Sequence, residues 1–162
     1  MVNTDDRDIE GQHAAMPVGA ADIQRAKTRA ARAHHGQFDQ AGRPYIAHPE
    51  RVVGHLVNPT ADEVVVAWLH DVVEDSEVTL QEVEEEFGPT VAATADAITR
   101  RPDEADSDHC YARVKANAVA LKVKAADLAD NTDPARLALL DPKQRARLEL
   151  KYAHARQELG VH

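Results

Sequence analysis

Trp68-Leu69-His70-Asp71-Val72-Val73-Glu74-Asp75 sets a His-Asp doublet one helical turn ahead of a Glu-Asp doublet, among apolar residues. At about 100° per residue, an uninterrupted helix spreads positions 70, 71, 74 and 75 over an arc of roughly 140°. Four titratable groups then share one face, while Leu69, Val72 and Val73 pack elsewhere. Carboxylates on such a segment lose hydration, which is expensive unless a cation or hydrogen bonds compensate. Surface helices carry similar doublets in full solvent, so the stretch takes its meaning from its surroundings.

Immediately upstream, Thr60-Ala61-Asp62-Glu63 is a capping-box pattern that starts the helix bearing the motif. Before it, His48-Pro49 opens a helix that runs through Val52, Val53 and Leu56 and stops near Asn58-Pro59. Residues 37–47 read as a loop, and a helical stretch from Ala20 to His35 ends at Gly36. Downstream, Thr79-Leu80-Gln81-Glu82 repeats the start signal and Gly88 ends that helix, with Glu84, Glu85 and Glu86 as a solvated face. Further helices are expected at about 89–99, 108–117 and 119–132, with an exposed loop at 100–107. Asp133-Pro134 and Asp141-Pro142 each combine a cap with a first-turn proline, and the second opens a final helix ending at Gly160. No segment alternates convincingly and no repeat is visible. The expectation is one all-α domain of roughly seven or eight helices over residues 19–162, behind a mobile tail of residues 1–18.

The totals agree. A chain of 162 residues supports one domain with a real core. Aromatics are only 4% while Ala and Val dominate, which favours close-packed helices over a β-sandwich. The single Cys110 excludes an internal disulfide and cysteine-rich zinc sites, and nothing beside it completes a Cys-His-Asn arrangement, so it reads as a packing residue. No apolar run approaches the roughly 20 residues of a membrane span, and the acidic start is not a secretory signal. A cytoplasmic protein is the default, with self-association left open. A net charge of −9 argues against general nucleic-acid binding. It leaves room for a small anionic substrate, because a metal ion and a few local cations can reverse the field inside one pocket.

A metal held by His70 and Asp71 needs further ligands. His48, between a loop and a helix start, and Asp127, on the Ala-rich segment Lys122-Val123-Lys124-Ala125-Ala126-Asp127-Leu128-Ala129-Asp130-Asn131, are the candidates. Two imidazoles and two carboxylates with open positions suit a first-row ion such as Mn²⁺ better than a closed tetrahedral zinc. His34, His55, His109 and His154 read as surface or supporting residues, and His13 and His162 fall in the chain ends.

Tyr45-Ile46-Ala47-His48-Pro49, then His70-Asp71 with Glu74-Asp75, then Ala126-Asp127 with Asn131 stand in the order and spacing of HD-domain phosphohydrolases. More narrowly, the chain resembles the hydrolase module of bacterial alarmone synthetase/hydrolases and their small stand-alone relatives, over about residues 20–157. His35-Gly36-Gln37, Phe87-Gly88 and Ala97-Ile98-Thr99-Arg100 fit the same pattern. The resemblance implies an HD-domain helical bundle in which His48, His70, Asp71 and Asp127 ligate one divalent ion. It implies that Glu74 and Asp75 are the catalytic carboxylates, and that Asn131 and, more loosely, Tyr152 contact the nucleotide. The implied reaction removes the 3′-pyrophosphate of a guanosine alarmone. Another nucleotide phosphatase (for a nucleoside monophosphate or the 2′-phosphate of NADPH) and a non-catalytic nucleotide sensor are the competing readings.

The chain departs from the family at three places. Where members carry Arg or Lys just after His-Gly-Gln, it has Phe38-Asp39-Gln40. Asp130 stands where they tend to have His or an aromatic residue, and Ser107-Asp108-His109-Cys110-Tyr111 does not register on their tyrosine-containing segment. Arg43, Lys122, Lys124 and Arg147 are the basic residues that could take over substrate contact.

Overall fold

The computed structural model describes residues 16–162, so the expected tail of residues 1–18, and His13 with it, falls almost wholly outside the described residues. Ten helical segments follow: α1 (Ala20–Ala33), α2 (Ala47–His55), α3 (Ala61–Leu69), α4 (Val72–Asp75), α5 (Leu80–Phe87), α6 (Pro89–Ile98), α7 (Asp108–Lys115), α8 (Ala118–Asn131), α9 (Pro134–Leu137) and α10 (Pro142–Leu159). Two of them, α4 and α9, are single turns, which leaves the eight longer helices that the sequence pattern anticipates. Among the described residues there is no strand, only an isolated bridge between Phe38 and Pro44 in the loop after α1.

Helix α3 is the hub. Val65, Val66, Ala67, Trp68 and Leu69 are all buried, because a helix apolar on every side has to be surrounded. It packs on α1, α2, α6 and α8. The small side chains of Ala26 and Ala30 let α1 approach closely, and Ala120, Val123 and Ala126 do the same for α8. Thr60 Oγ1 accepts from Glu63 N–H at 3.2 Å while the Glu63 carboxylate accepts from Thr60 N–H at 3.0 Å, so the capping box forms as its sequence requires. Thr79 and Glu82 build the same cap on α5. Gly88, at φ 88°, both ends α5 and turns the chain into α6, a conformation that favours glycine.

One local expectation is corrected. The His-Asp/Glu-Asp segment is not one continuous helix: the chain leaves α3 after Leu69 and re-enters helix at Val72. The cause is His70 itself. Its Nδ1–H donates to the Ala67 carbonyl at 2.7 Å, and that carbonyl is the one the Asp71 N–H would take in an unbroken ladder. The four titratable side chains still converge, but around a bend rather than along a face. No helix among the described residues is long and apolar enough to cross a membrane.

Candidate metal centre

The bend brings three separate parts of the chain together: the start of α2 with His48, the α3–α4 junction with His70 and Asp71, and the middle of α8 with Asp127. His48, His70 and Asp127 are 3–4% exposed. His70 Nε2 lies 3.0 Å from Asp71 Oδ2 and 3.6 Å from Asp127 Oδ1. His48 Nε2 lies 3.1 Å from Asp127 Oδ1 and 3.6 Å from Asp71 Oδ2. Two imidazole nitrogens and two carboxylate oxygens therefore face one point.

The protons on the imidazoles are fixed from behind. Only Nδ1 of His70 can donate to the Ala67 carbonyl, and Nδ1 of His48 donates to Asp130 Oδ2 at 2.7 Å. Each ring thus turns Nε2 inward, the arrangement that an acceptor on the far ring nitrogen imposes on metal-bound histidines. His70 Nε2 is buried and has no hydrogen-bond partner of acceptable geometry. An orphaned buried nitrogen beside the buried Asp127 and the half-buried Asp71 carboxylates fits a divalent cation.

The field says the same. Burial alone would lower the His70 pKa, but the charge of Asp71 and the contact with Asp127 hold it well above the usual histidine range. His48 rises for the same reason, burial being outweighed by its bonds to Asp127 and Asp130. Against burial, the His70 charge holds Asp71 low and the Lys124 ammonium holds Asp127 low. Carboxylates that retain protons on two imidazoles are equally suited to retaining a metal ion.

A cavity of about 290 Å³ opens over this centre. Glu74 and Asp75 line it, and they form with Asp71 a second cluster whose ligand atoms lie within 4.8 Å of one another. Glu74 Oε1 accepts the Arg100 backbone N–H at 2.7 Å. Partial burial raises the Glu74 pKa, and burial together with the charges of Asp71 and Glu74 pushes Asp75 up to about 6. Gln37 fixes the end of α4 by donating to the Asp75 carbonyl at 2.7 Å, and its other amide atom accepts from His34 Nδ1 at 2.8 Å. His34 is buried with its ring centroid 4.8 Å from that of Tyr45, and the Tyr45 hydroxyl donates to Asp71.

The expected substrate contacts divide. Asn131 lines the cavity and donates to Asp127 Oδ1 at 2.7 Å, and Tyr152 also lines it. Arg43 is exposed and outside the lining, and its backbone closes a turn with Asp39. Lys122 reaches Glu63 at 2.6 Å instead, and Arg147 is exposed and also outside the lining. The cations of the cavity wall are Lys124, Arg136 and Lys151. Sequence reasoning missed the last two, and it missed Asp130 as the partner of His48. The spacing of Asp130, three residues after Asp127 on one helix, was the available signal. Of the histidines set aside, His109 and His154 are exposed, and His55 Nε2 lies 3.7 Å from Asp130. Cys110 is buried in the core, as expected.

An all-helical bundle with a largely buried two-histidine, two-aspartate cluster beneath an acid-lined cavity defines a protein built around a divalent metal centre. The profile of the HD domain matches residues 26–129, and the chain belongs to the HD-domain family. It is 35% identical to a guanosine-3′,5′-bis(diphosphate) 3′-pyrophosphohydrolase of Haemophilus influenzae, across 72% of this chain and 19% of that protein. It is 32% identical to the bifunctional (p)ppGpp synthase/hydrolase SpoT of Escherichia coli K12, across 80% of this chain and 20% of that protein. The chain thus spans about a fifth of the length of these curated relatives. Among solved structures, a metazoan ortholog of SpoT, described as hydrolysing ppGpp with a role in starvation responses, superposes with a TM-score of 0.75. That match covers 89% of this chain and 88% of that one at 23% identity, and it establishes the fold.

Proposed function

We propose that the chain is a metal-dependent phosphohydrolase that removes the 3′-pyrophosphate of guanosine-3′,5′-bis(diphosphate), with Mn²⁺ as the working ion and a small soluble nucleotide as its partner. The observation that carries this reading is the inward convergence of the two Nε2 atoms on Asp71 and Asp127, beside Glu74 and Asp75. Bound by His48, His70, Asp71 and Asp127, a divalent ion supplies charge neutralisation at phosphoryl oxygens and makes water a better nucleophile near neutral pH.

The remaining work falls to side chains. Asp75, with its pKa at about 6, exchanges a proton readily near neutrality and serves the leaving oxygen. Glu74, held through Oε1 by the Arg100 N–H, orients the attacking water. Asn131 and Lys124 hold Asp127 in place, at 2.7 Å each, and face the same cavity. Tyr152, which lines the cavity, contacts the nucleoside in this reading.

The HD-domain profile spans His48, His70, Asp71, Glu74, Asp75 and Asp127, and relatives named for this reaction are 32–35% identical across 72–80% of the chain. The test is release of pyrophosphate from guanosine tetraphosphate with Mn²⁺, alongside nucleoside monophosphates and NADPH as alternative substrates. Turnover of the tetraphosphate, lost in Glu74→Ala with folding intact, is the expected result. Turnover of NADPH or a monophosphate alone would keep the chemistry and replace the substrate. Turnover of none would leave a binding domain.

A further inference from the structure

The cavity wall presents its guanidinium already engaged by acids. Arg136 Nη1 donates to Asp130, both to its carboxylate and, at 3.1 Å, to its carbonyl. Nη2, the front of the fork, faces Asp39 Oδ2 at 3.4 Å. Both Asp39 and Arg136 line the cavity. Arg136 is thus anchored from behind by a fully buried carboxylate, and little side-chain freedom remains to be lost when its front edge meets a ligand.

Lys124, the second cation of the wall, is paired with Asp127 at 2.7 Å. Lys151, the third, makes no ion pair among the described residues. Asp39, Glu74 and Asp75 line the same cavity. For a phosphorylated ligand, Arg136 is the pre-positioned donor of the cavity, because anchoring through Nη1 leaves its Nη2 edge to meet a phosphoryl oxygen.

We propose that Asp39 is a specificity-determining residue: its carboxylate takes the place on Arg136 that a substrate phosphate would occupy, so that polyanionic nucleotides bind only by displacing it. The inference rests on the hydrolase reading for its substrate but not for its physics. The turn itself decides which oxygen of Asp39 faces the arginine. Oδ1 accepts the backbone N–H groups of Ala41 and Arg43, both at 2.9 Å, which leaves Oδ2 for Arg136. An asparagine keeps the Oδ1 acceptor and hence the turn, and replaces the competing carboxylate oxygen with an uncharged NH2 group that cannot accept from Arg136.

Asp39→Asn is the deciding variant. The expected result is a KM for guanosine tetraphosphate lower by about three- to tenfold, with kcat held within about twofold. Inhibition by unphosphorylated guanosine is expected to stay unchanged. A merely structural role would weaken binding or leave it alone, and could not strengthen it for the phosphorylated ligand only. An unchanged or raised KM, or an equal shift for guanosine, overturns the inference. Calorimetric binding of the same two ligands separates this from the hydrolase reading. Wild-type protein that turns nothing over, while Asp39→Asn binds the tetraphosphate more tightly, rejects the reaction and keeps the inference. Turnover with KM and binding unmoved does the reverse.

Discussion

His48 Nδ1 donates to Asp130 Oδ2 at 2.7 Å across 82 residues of chain, and Asp130 is wholly buried. The bond fixes both the tautomer and the tilt of His48. Arg51 Nε, at 2.8 Å, and Arg136 hold Asp130 in turn, so the carboxylate stays ionised with its pKa drawn down to about 2 despite burial. Asp130→Asn keeps the shape and removes the charge that, at the proposed metal site, strengthens His48 as a donor. Isothermal titration with Mn²⁺ is expected to give an affinity lower by about ten- to a hundredfold, with helicity unchanged. Unaltered affinity would reduce Asp130 to a partner of the two arginines.

A metal that binds only the folded chain stabilises it by mass action. At about 100 times its Kd, Mn²⁺ should add about 2.7 kcal/mol, which for a domain of this size raises Tm by roughly 5–10 °C. A chelator should remove the increment reversibly. Asp71→Ala and Asp127→Ala should each abolish the metal-dependent shift, because each deletes a charged oxygen facing both imidazoles. A full shift in either variant would place the ion elsewhere.

Asp75 makes function and stability pull apart. Its pKa rises from 3.8 to about 6 on folding, so the folded chain holds this proton more tightly than the unfolded one. The associated stability is fully present below about pH 4 and is lost as pH rises through about 6. At pH 7.5 the ionised side chain is therefore a net liability, about 1 kcal/mol once its solvent exposure is discounted. Metal-free Asp75→Asn should melt about 2–4 °C above the parent at pH 7.5, and the gap should close by pH 4. The same variant should lose about a hundred- to ten-thousandfold in kcat. Equal melting temperatures at both pH values would show that Asp75 is not desolvated as the geometry requires.

What could be read from the sequence was what is decided locally. The caps at Thr60 and Thr79, the proline starts at Pro134 and Pro142 and the stop at Gly88 all rest on residues within one turn, and all form. The doublets at 70–71 and 74–75 marked the right place but the wrong backbone. Periodicity carries no sign that the His70 side chain will capture the Ala67 carbonyl and interrupt the helix. Arg136 escaped notice because it sits in a single turn, α9, which is too short to show a pattern. Spacing alone does not choose among Arg43, Lys122, Lys124 and Arg147, and the turn that Asp39 closes leaves Arg43 outside the cavity lining. Side-chain partners distant in sequence, such as His48 with Asp130, depend on how α2 packs on α8, and only the folded chain specifies that.

The packing that carries the site can be tested without touching it. Trp68 lies two residues before His70, is 5% exposed, and presents its ring to Lys27 of α1 with Nζ 5.5 Å from the ring centroid. Its bulk fills the seam between α3 and α1, the helix that also leads into the loop carrying Gln37. Trp68→Ala should destabilise by about 3–5 kcal/mol, seen as a drop in the urea midpoint at unchanged m-value. Trp68→Phe, which keeps an aromatic ring in the seam, should lose clearly less. Lys27→Ala should lose less than about 1 kcal/mol, since it removes only a partly exposed cation–π contact. If Trp68→Ala and Lys27→Ala were equally mild, the ring would be a cover over the seam rather than part of the core. The support for His70 would then have to come from α6 and α8 instead.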